Sequence, residues 1–147
     1  MYRRILVPVD GSELSERAMR ASIELAQQLG AAITGFIAEP IRALAASPHE
    51  IGSWDDDSRE HDAMTSAHAG EVLRRFESRA REAGVEFSGY HDQVPDIDRA
   101  IVAAAESRGC DLIVMVTHGR GAFGEFLFGS QTKAVLAGSR LPLLVLH

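Results

Sequence analysis

Two short segments hold the residues whose types and spacing could do chemistry: Pro8-Val9-Asp10-Gly11-Ser12 and Thr117-His118-Gly119-Arg120-Gly121. Asp10 can accept hydrogen bonds from a ribose or a base, and it can equally cap a following helix. Gly119, Gly121 and Gly124 carry no Cβ, so successive backbone N–H groups could approach an anion and converge on it. Gly129-Ser130 could open a helix beyond that loop, adding the positive end of a dipole and one hydroxyl donor. Arg120 is the only cation within the glycine loop. His118 could donate to a phosphate, but it reads rather as structural, because no carboxylate partner for it is evident.

Several literal matches fail on their chemistry. Gly119-Arg120-Gly121-Ala122-Phe123-Gly124 spells G-x-G-x-x-G, but a dinucleotide site also needs a carboxylate about 20 residues on. No Asp or Glu follows Glu125. The loop is not a P-loop, since Lys133 lies between Thr132 and Ala134 and no G-K-[ST] element exists. His61 and His68 are seven residues apart rather than at the i, i+4 spacing of a helical metal site. Asp55-Asp56-Asp57 lacks the alternating ligands of a calcium loop and reads as solvated acid. The single cysteine, Cys110, excludes an internal disulfide and a multi-thiolate metal site, and it reads as a small buried hydrophobe. No catalytic and no metal-ligating residue is assigned.

Parallel strands and helices must position these segments. The chain has 147 residues, 21 acidic and 15 basic, for a formal net charge of −6, and 46% of it is hydrophobic. That length implies one domain with an unstapled core, burying roughly 68–70% of the unfolded surface. The acidic balance and the lack of a Lys/Arg run argue against a general nucleic-acid binder. Ile5–Val9 and Leu112–Val116 are continuous apolar runs, the pattern of strands covered on both faces. Ala32–Ala38, the polar Glu86–Gln93 and Leu143–Leu146 read as further strands, the third at a sheet edge. Helical periodicity places Leu14, Ala18, Ala21, Leu25 and Leu29 on one face, stopped by Gly30, with Ser12 as N-cap. A second helix runs from Arg59 to Ala83 with Ala69, Leu73, Phe76 and Ala80 on its stripe. A third is capped by Asp96 and ends at Gly109, and a short fourth runs from about Ser130 to Ala137. The βαβαβαβαβ order is that of an α/β parallel sheet with right-handed crossovers.

Residues 39–58 interrupt this alternation as an irregular loop. A surface loop is the default, and Trp54 keeps a lid or partner-docking role open. The amino-terminal apolar run is too short for a signal or membrane segment, so the chain is read as soluble and cytoplasmic, with no membrane partner.

Gly119, nine intervening residues, then Gly129-Ser130 resembles the latter part of the G-x2-G-x9-G-[ST] signature of the universal stress protein family. Ile5–Ser12 resembles that family's opening strand and Asp-bearing turn, Asp111–Gly121 its fourth strand and loop, and Leu141–Val145 its closing strand. The resemblance implies a single-domain, Rossmann-like open sheet of five strands in order 3-2-1-4-5 flanked by four helices, the adenine-nucleotide alpha-hydrolase-like fold. It also implies homodimers through the last strand (Leu143 to Leu146) and, in one branch, an adenine nucleotide across strands one and four. Carried over residue by residue, Asp10 would meet ribose or adenine, with Val9 and Ala38 bordering the base. Met115 would line the site, and Gly119, Arg120, Gly129, Ser130 and Gln131 would border or hold the phosphates. Val116 departs from the pattern, standing where the signature has its first glycine. A β-branched side chain there could obstruct the close approach that glycine permits.

The expectation is therefore a non-enzymatic stress or regulatory protein that binds ATP or AMP without efficient turnover and is read by an unknown protein partner. Phosphoryl transfer needs a positioned water, a base and charge neutralisation. No base is evident, and magnesium would enter only with the nucleotide, because no acidic pair is evident to hold it; slow hydrolysis stays open. The alternatives are a ligand-free dimeric interaction protein whose site Val116 impairs, and an electron-transfer or other nucleotide enzyme on a related fold.

Overall fold

Parallel pairing demands a long crossover between consecutive strands, and each apolar segment here is followed by a helix that supplies one. The computed structural model describes residues 1–41, 54–117 and 129–147, with 54–62 as backbone only. Its strands are β1 (Arg4–Pro8), β2 (Ala32–Pro40), β3 (Phe87–Val94), β4 (Leu112–Val116) and β5 (Leu143–Leu146). Between them lie α1 (Glu13–Leu29), α2 (Trp54–Glu82), α3 (Ile97–Ser107) and α4 (Ser130–Gly138). The strand order is β3-β2-β1-β4-β5, all parallel, with Leu6 in register with Thr34 on one side and Ile113 on the other.

Strand periodicity divides the core in two. Ile5 and Val7 of β1, with Val9 just beyond it, face α1 and α2 and join Met19, Ile23, Val72 and Phe76. Leu6 faces the other way with Phe36, Ile113, Ile101 and Val135, under α3 and α4. The sheet is thus covered on both faces, which is why its central strands are apolar without alternation. Gly35 allows the second of these strands to lie under aromatic rings: a Cβ there would come within 2.7 Å of Phe87 Cζ. At the polar edge, Tyr90 stacks on Phe36 with centroids 4.6 Å apart, and the Arg108 guanidinium lies 3.9 Å from the Tyr90 centroid.

The structure corrects four local expectations. The buried face of α1 is Ser15, Ala18, Met19, Ser22, Ile23 and Ala26, rotated from the stripe of Leu14, Ala21, Leu25 and Leu29. Small side chains let the helix approach the sheet closely, and the leucines pack at its margins. The α2 helix begins at Trp54, so Trp54 and the acids 55–57 belong to a helix rather than to an irregular loop over 39–58. Acidic residues suit a first helical turn because of the dipole. The second strand continues to Pro40, and residues 42–53 lie outside the described residues. Asp96 occupies the N-cap position of α3 without a side-chain cap bond and pairs instead with Arg99 at 3.3 Å. The fourth helix opens at Ser130 as read from sequence, with Gly129 in the N-cap position.

Phe76 is fully buried, with its ring centroid 4.8 Å from that of Phe87. Phe76→Ala should lower unfolding free energy by about 3–5 kcal/mol, measured as a shift of the urea midpoint at unchanged m-value.

Candidate functional site

The chain winds from β1 to β2 and β3 on one side and then returns to place β4 and β5 on the other. At such a reversal the connecting segments diverge, leaving a crevice beyond the carboxyl ends of the two central strands. A cavity of about 580 Å³ lies there, within the range of small-molecule sites. Its wall is largely apolar, with Val9, Ala18, Ala38, Ile97, Ile101 and Met115 contributing, while Asp10, Ser12, Ser15, Thr117, Gln131 and Thr132 supply polar groups.

Asp10 is held by the turn that joins the first strand to α1. The Val9 N–H still donates to the Phe36 carbonyl at 2.9 Å, extending the sheet pairing one residue past β1. Gly11 then takes φ +84°, and a Cβ there would meet His68 Nε2 at 2.7 Å and Val72 Cγ2 at 3.0 Å. The Ser12 N–H donates to Asp10 Oδ1 at 2.9 Å, closing an Asx turn, and the Ser15 hydroxyl donates to the same oxygen at 2.7 Å. Ser12 Oγ in turn accepts the Ser15 N–H at 3.4 Å as the N-cap. Burial pushes the Asp10 carboxyl upward, but the hydrogen bonds from Ser12 and Ser15 outweigh it and hold the carboxyl below the usual aspartate range. The capping and site readings of Asp10 are therefore compatible: it shapes the turn and borders the cavity.

The opposite rim is the start of α4. Lys133 N–H is the first to bond within this helix, to the Gly129 carbonyl at 3.2 Å. The amides of Ser130, Gln131 and Thr132 are donors without an acceptor inside the helix, as at every helix start, and Gly129, Gln131 and Thr132 border the cavity.

Of the residues singled out from sequence, Val9, Asp10, Ala38, Met115, Gly129 and Gln131 come together around this one cavity. Ser130 does not form part of its wall; it is exposed at the first position of α4. His118, Gly119, Arg120, Gly121 and Gly124 lie outside the described residues. Val116 borders the cavity and is half-buried against the core cluster beneath α1 and α2. Sequence reasoning missed Ser15, Ile97 and Ile101. The i, i+4 spacing of the isoleucines and the position of Ser15 three residues after the cap were the available signals. Cys110 is buried as expected, and burial raises its thiol pKa. His68 sits over Gly11, whereas the His61 side chain lies outside the described residues.

A second groove, about 920 Å³, runs along the outside of α1. It is lined by charged side chains of α1, and Glu16 there pairs with Arg79 and, at 3.2 Å, with Arg75. The smaller cavity is the better candidate because apolar wall, carboxylate and helix start converge on it.

A doubly wound parallel sheet with its crevice between a carboxylate turn and a helix amino terminus defines a Rossmann-like α/β protein. The model of the universal stress protein family matches residues 1–147, and the chain belongs to that family. A universal stress protein of Methanocaldococcus jannaschii is 30% identical over 146 residues, covering 99% of this chain and 82% of its own. One from Thermus aquaticus is 30% identical over 156 residues, covering both chains fully. The solved UspA of Lactobacillus plantarum shares the fold at TM-score 0.80 and 23% identity, covering 99% and 98% of the two chains. Solved relatives of the same fold, at 22%, 20% and 16% identity, are complexes with cAMP, with dAMP and with AMP.

Two outcomes follow from the turn. A carboxylate with a depressed folded pKa contributes stability that is complete above the ordinary aspartate range and is lost as pH falls through the folded value. Asp10→Asn should therefore flatten the acid limb of the stability–pH curve below about pH 4, read by circular dichroism. Gly11→Ala, strained in φ and crowded by His68, should cost about 1–3 kcal/mol in chemical denaturation.

Proposed function

We propose that this chain is a cytoplasmic stress-responsive regulatory protein that binds an adenine nucleotide, AMP or ATP, at the crevice beyond the first and fourth strands and does not turn it over efficiently. The observation that carries the reading is the convergence of Asp10 and the amino terminus of α4 on one apolar-walled cavity. An apolar slot suits a base, a carboxylate suits hydroxyl or amine donors, and unpaired helix amides suit phosphate. The nucleotide complexes of the solved relatives point the same way. In this reading Asp10 accepts from the ribose or base, Val9, Ala38 and Met115 border the base, and the amides from Gly129 to Gln131 meet phosphate oxygens. Magnesium would accompany the phosphates of ATP rather than occupy a site of its own.

The chain also dimerises through β5 in this proposal. That strand is an outer strand of the sheet, apolar at all four positions and only half-buried, and such an edge invites pairing with a second copy.

Val116 favours one second reading, a dimeric interaction protein whose pocket the valine narrows. Native mass spectrometry of the protein as isolated separates the two, because a co-purifying adenine nucleotide excludes an empty pocket. In calorimetric titration with AMP, Asp10→Ala should weaken binding about 10- to 100-fold, the loss of a charged hydrogen bond. Val116→Gly should tighten it, and Gly129→Ala should weaken it without unfolding, since no described atom lies within 4 Å of the added carbon. Affinity unchanged in all three removes the pocket as the site. Incubation with labelled ATP should show no multi-turnover release.

A further inference from the structure

Ser15 has no role in the reading above, yet it is among the most constrained polar residues of the described chain. It is 4% exposed, at the third position of α1. Its Oγ accepts the Asp10 N–H at 2.7 Å and the Gly11 N–H at 3.1 Å, and it donates its one proton to Asp10 Oδ1 at 2.7 Å. A hydroxyl offers one donor and two acceptor positions, and all three are used within the turn. Ser15 therefore has nothing left to give a ligand, although it borders the cavity.

From this geometry we infer that Ser15 is the positioning residue of the site: it locks Asp10 Oδ1 and the two amides of the turn, so that Oδ2 is the acceptor a ligand's hydroxyl or amine meets. The inference rests on Asp10 being the ligand-facing carboxylate of the proposed function. Ser12 alone cannot do this work. Its amide reaches Oδ1 at 2.9 Å, but its own hydroxyl is the N-cap acceptor of the Ser15 N–H. Without Ser15, Asp10 gains freedom about its side-chain torsions and two amides of the turn lose their acceptor. The depressed Asp10 pKa agrees, since the Ser15 hydroxyl bond is one of its causes.

The test separates positioning from general structural support and from the nucleotide reading itself. Carbon-detected NMR would follow the Asp10 carboxyl against pH in the wild type, Ser15→Ala and Ser15→Thr, with Asp10→Asn fixing the assignment. The charged side chains that share the outer groove with Asp10 are Glu13, Glu16, Arg17, Arg20, Glu24 and Arg79, and His68 of α2 lies over Gly11. Expected is an upward move of the Asp10 midpoint in Ser15→Ala and its retention in Ser15→Thr. AMP titration should show Ser15→Ala weakened about tenfold, roughly one hydrogen bond, with Ser15→Thr within about threefold of the wild type. An unchanged Asp10 midpoint in Ser15→Ala overturns the assignment, whatever the affinity does. Should Ser15→Ala fail to fold, Ser15→Thr decides alone: a displaced Asp10 midpoint with the hydroxyl still present overturns it. A wild type that binds no AMP while the titrations behave as expected removes the nucleotide, not the role of Ser15 in orienting Asp10.

Discussion

The hydrogen-bonded turn between β1 and α1 is the constraint on which the site depends. Three groups must agree within six residues: a carboxylate that accepts from Ser12 and Ser15, a glycine at φ +84°, and a hydroxyl that accepts two amides. The carboxylate and the hydroxyl each satisfy polar atoms that the chain exposes as it leaves the sheet, and neither is replaceable by an apolar group without orphaning a partner; the glycine supplies the backbone conformation that brings them together. Because β1 is central, paired with β2 on one side and β4 on the other, the turn inherits the rigidity of a strand whose Ile5, Leu6 and Val7 are fully buried. A carboxylate fixed to that strand is fixed relative to the cleft.

Val116 shows how one position serves two requirements in tension. Its side chain adds to the core cluster under α1 and α2 while forming part of the cavity wall. A glycine there would open the approach to the pocket and would also remove packing and loosen the strand, the second effect alone costing about 0.5–1 kcal/mol. Only the lost packing is offset when a ligand fills the space. A valine at this place therefore favours the stability of the unliganded fold over closeness of approach to a ligand.

The sequence was most informative where pattern and packing coincide. The continuous runs Ile5–Val9 and Leu112–Val116 identified the central strands, and the cleft position followed from their carboxyl ends; family resemblance supplied the order 3-2-1-4-5. Periodicity was less reliable where small residues carry the contact: Ser15 and Ser22 face the core of α1 and no hydropathy pattern marks them. The start of α2 was hidden for a related reason, since three consecutive aspartates read as loop although a helix amino terminus favours them. Ser15 could be found only from the coordinates, because its importance lies in which oxygen it binds, and spacing from Ser12 signals a cap without revealing Asp10 as the acceptor.

The two polar ends of the cleft differ in sign, and that difference orders a ligand. Asp10, held ionised, repels a phosphate and attracts donors; the start of α4 presents N–H groups and the positive end of a dipole, worth about 0.3–1 kcal/mol to an anion. A molecule with hydroxyls at one end and negative oxygens at the other gains from one orientation and loses in the reverse. Because both contributions enter the same difference, the preference for the correct direction exceeds what either end provides. The apolar wall between them, from Val9, Ala38 and Met115, supplies contact area that is indifferent to direction. Affinity in such a cleft comes mainly from the wall, and orientation from its two ends, so loosening Asp10 costs discrimination before it costs burial.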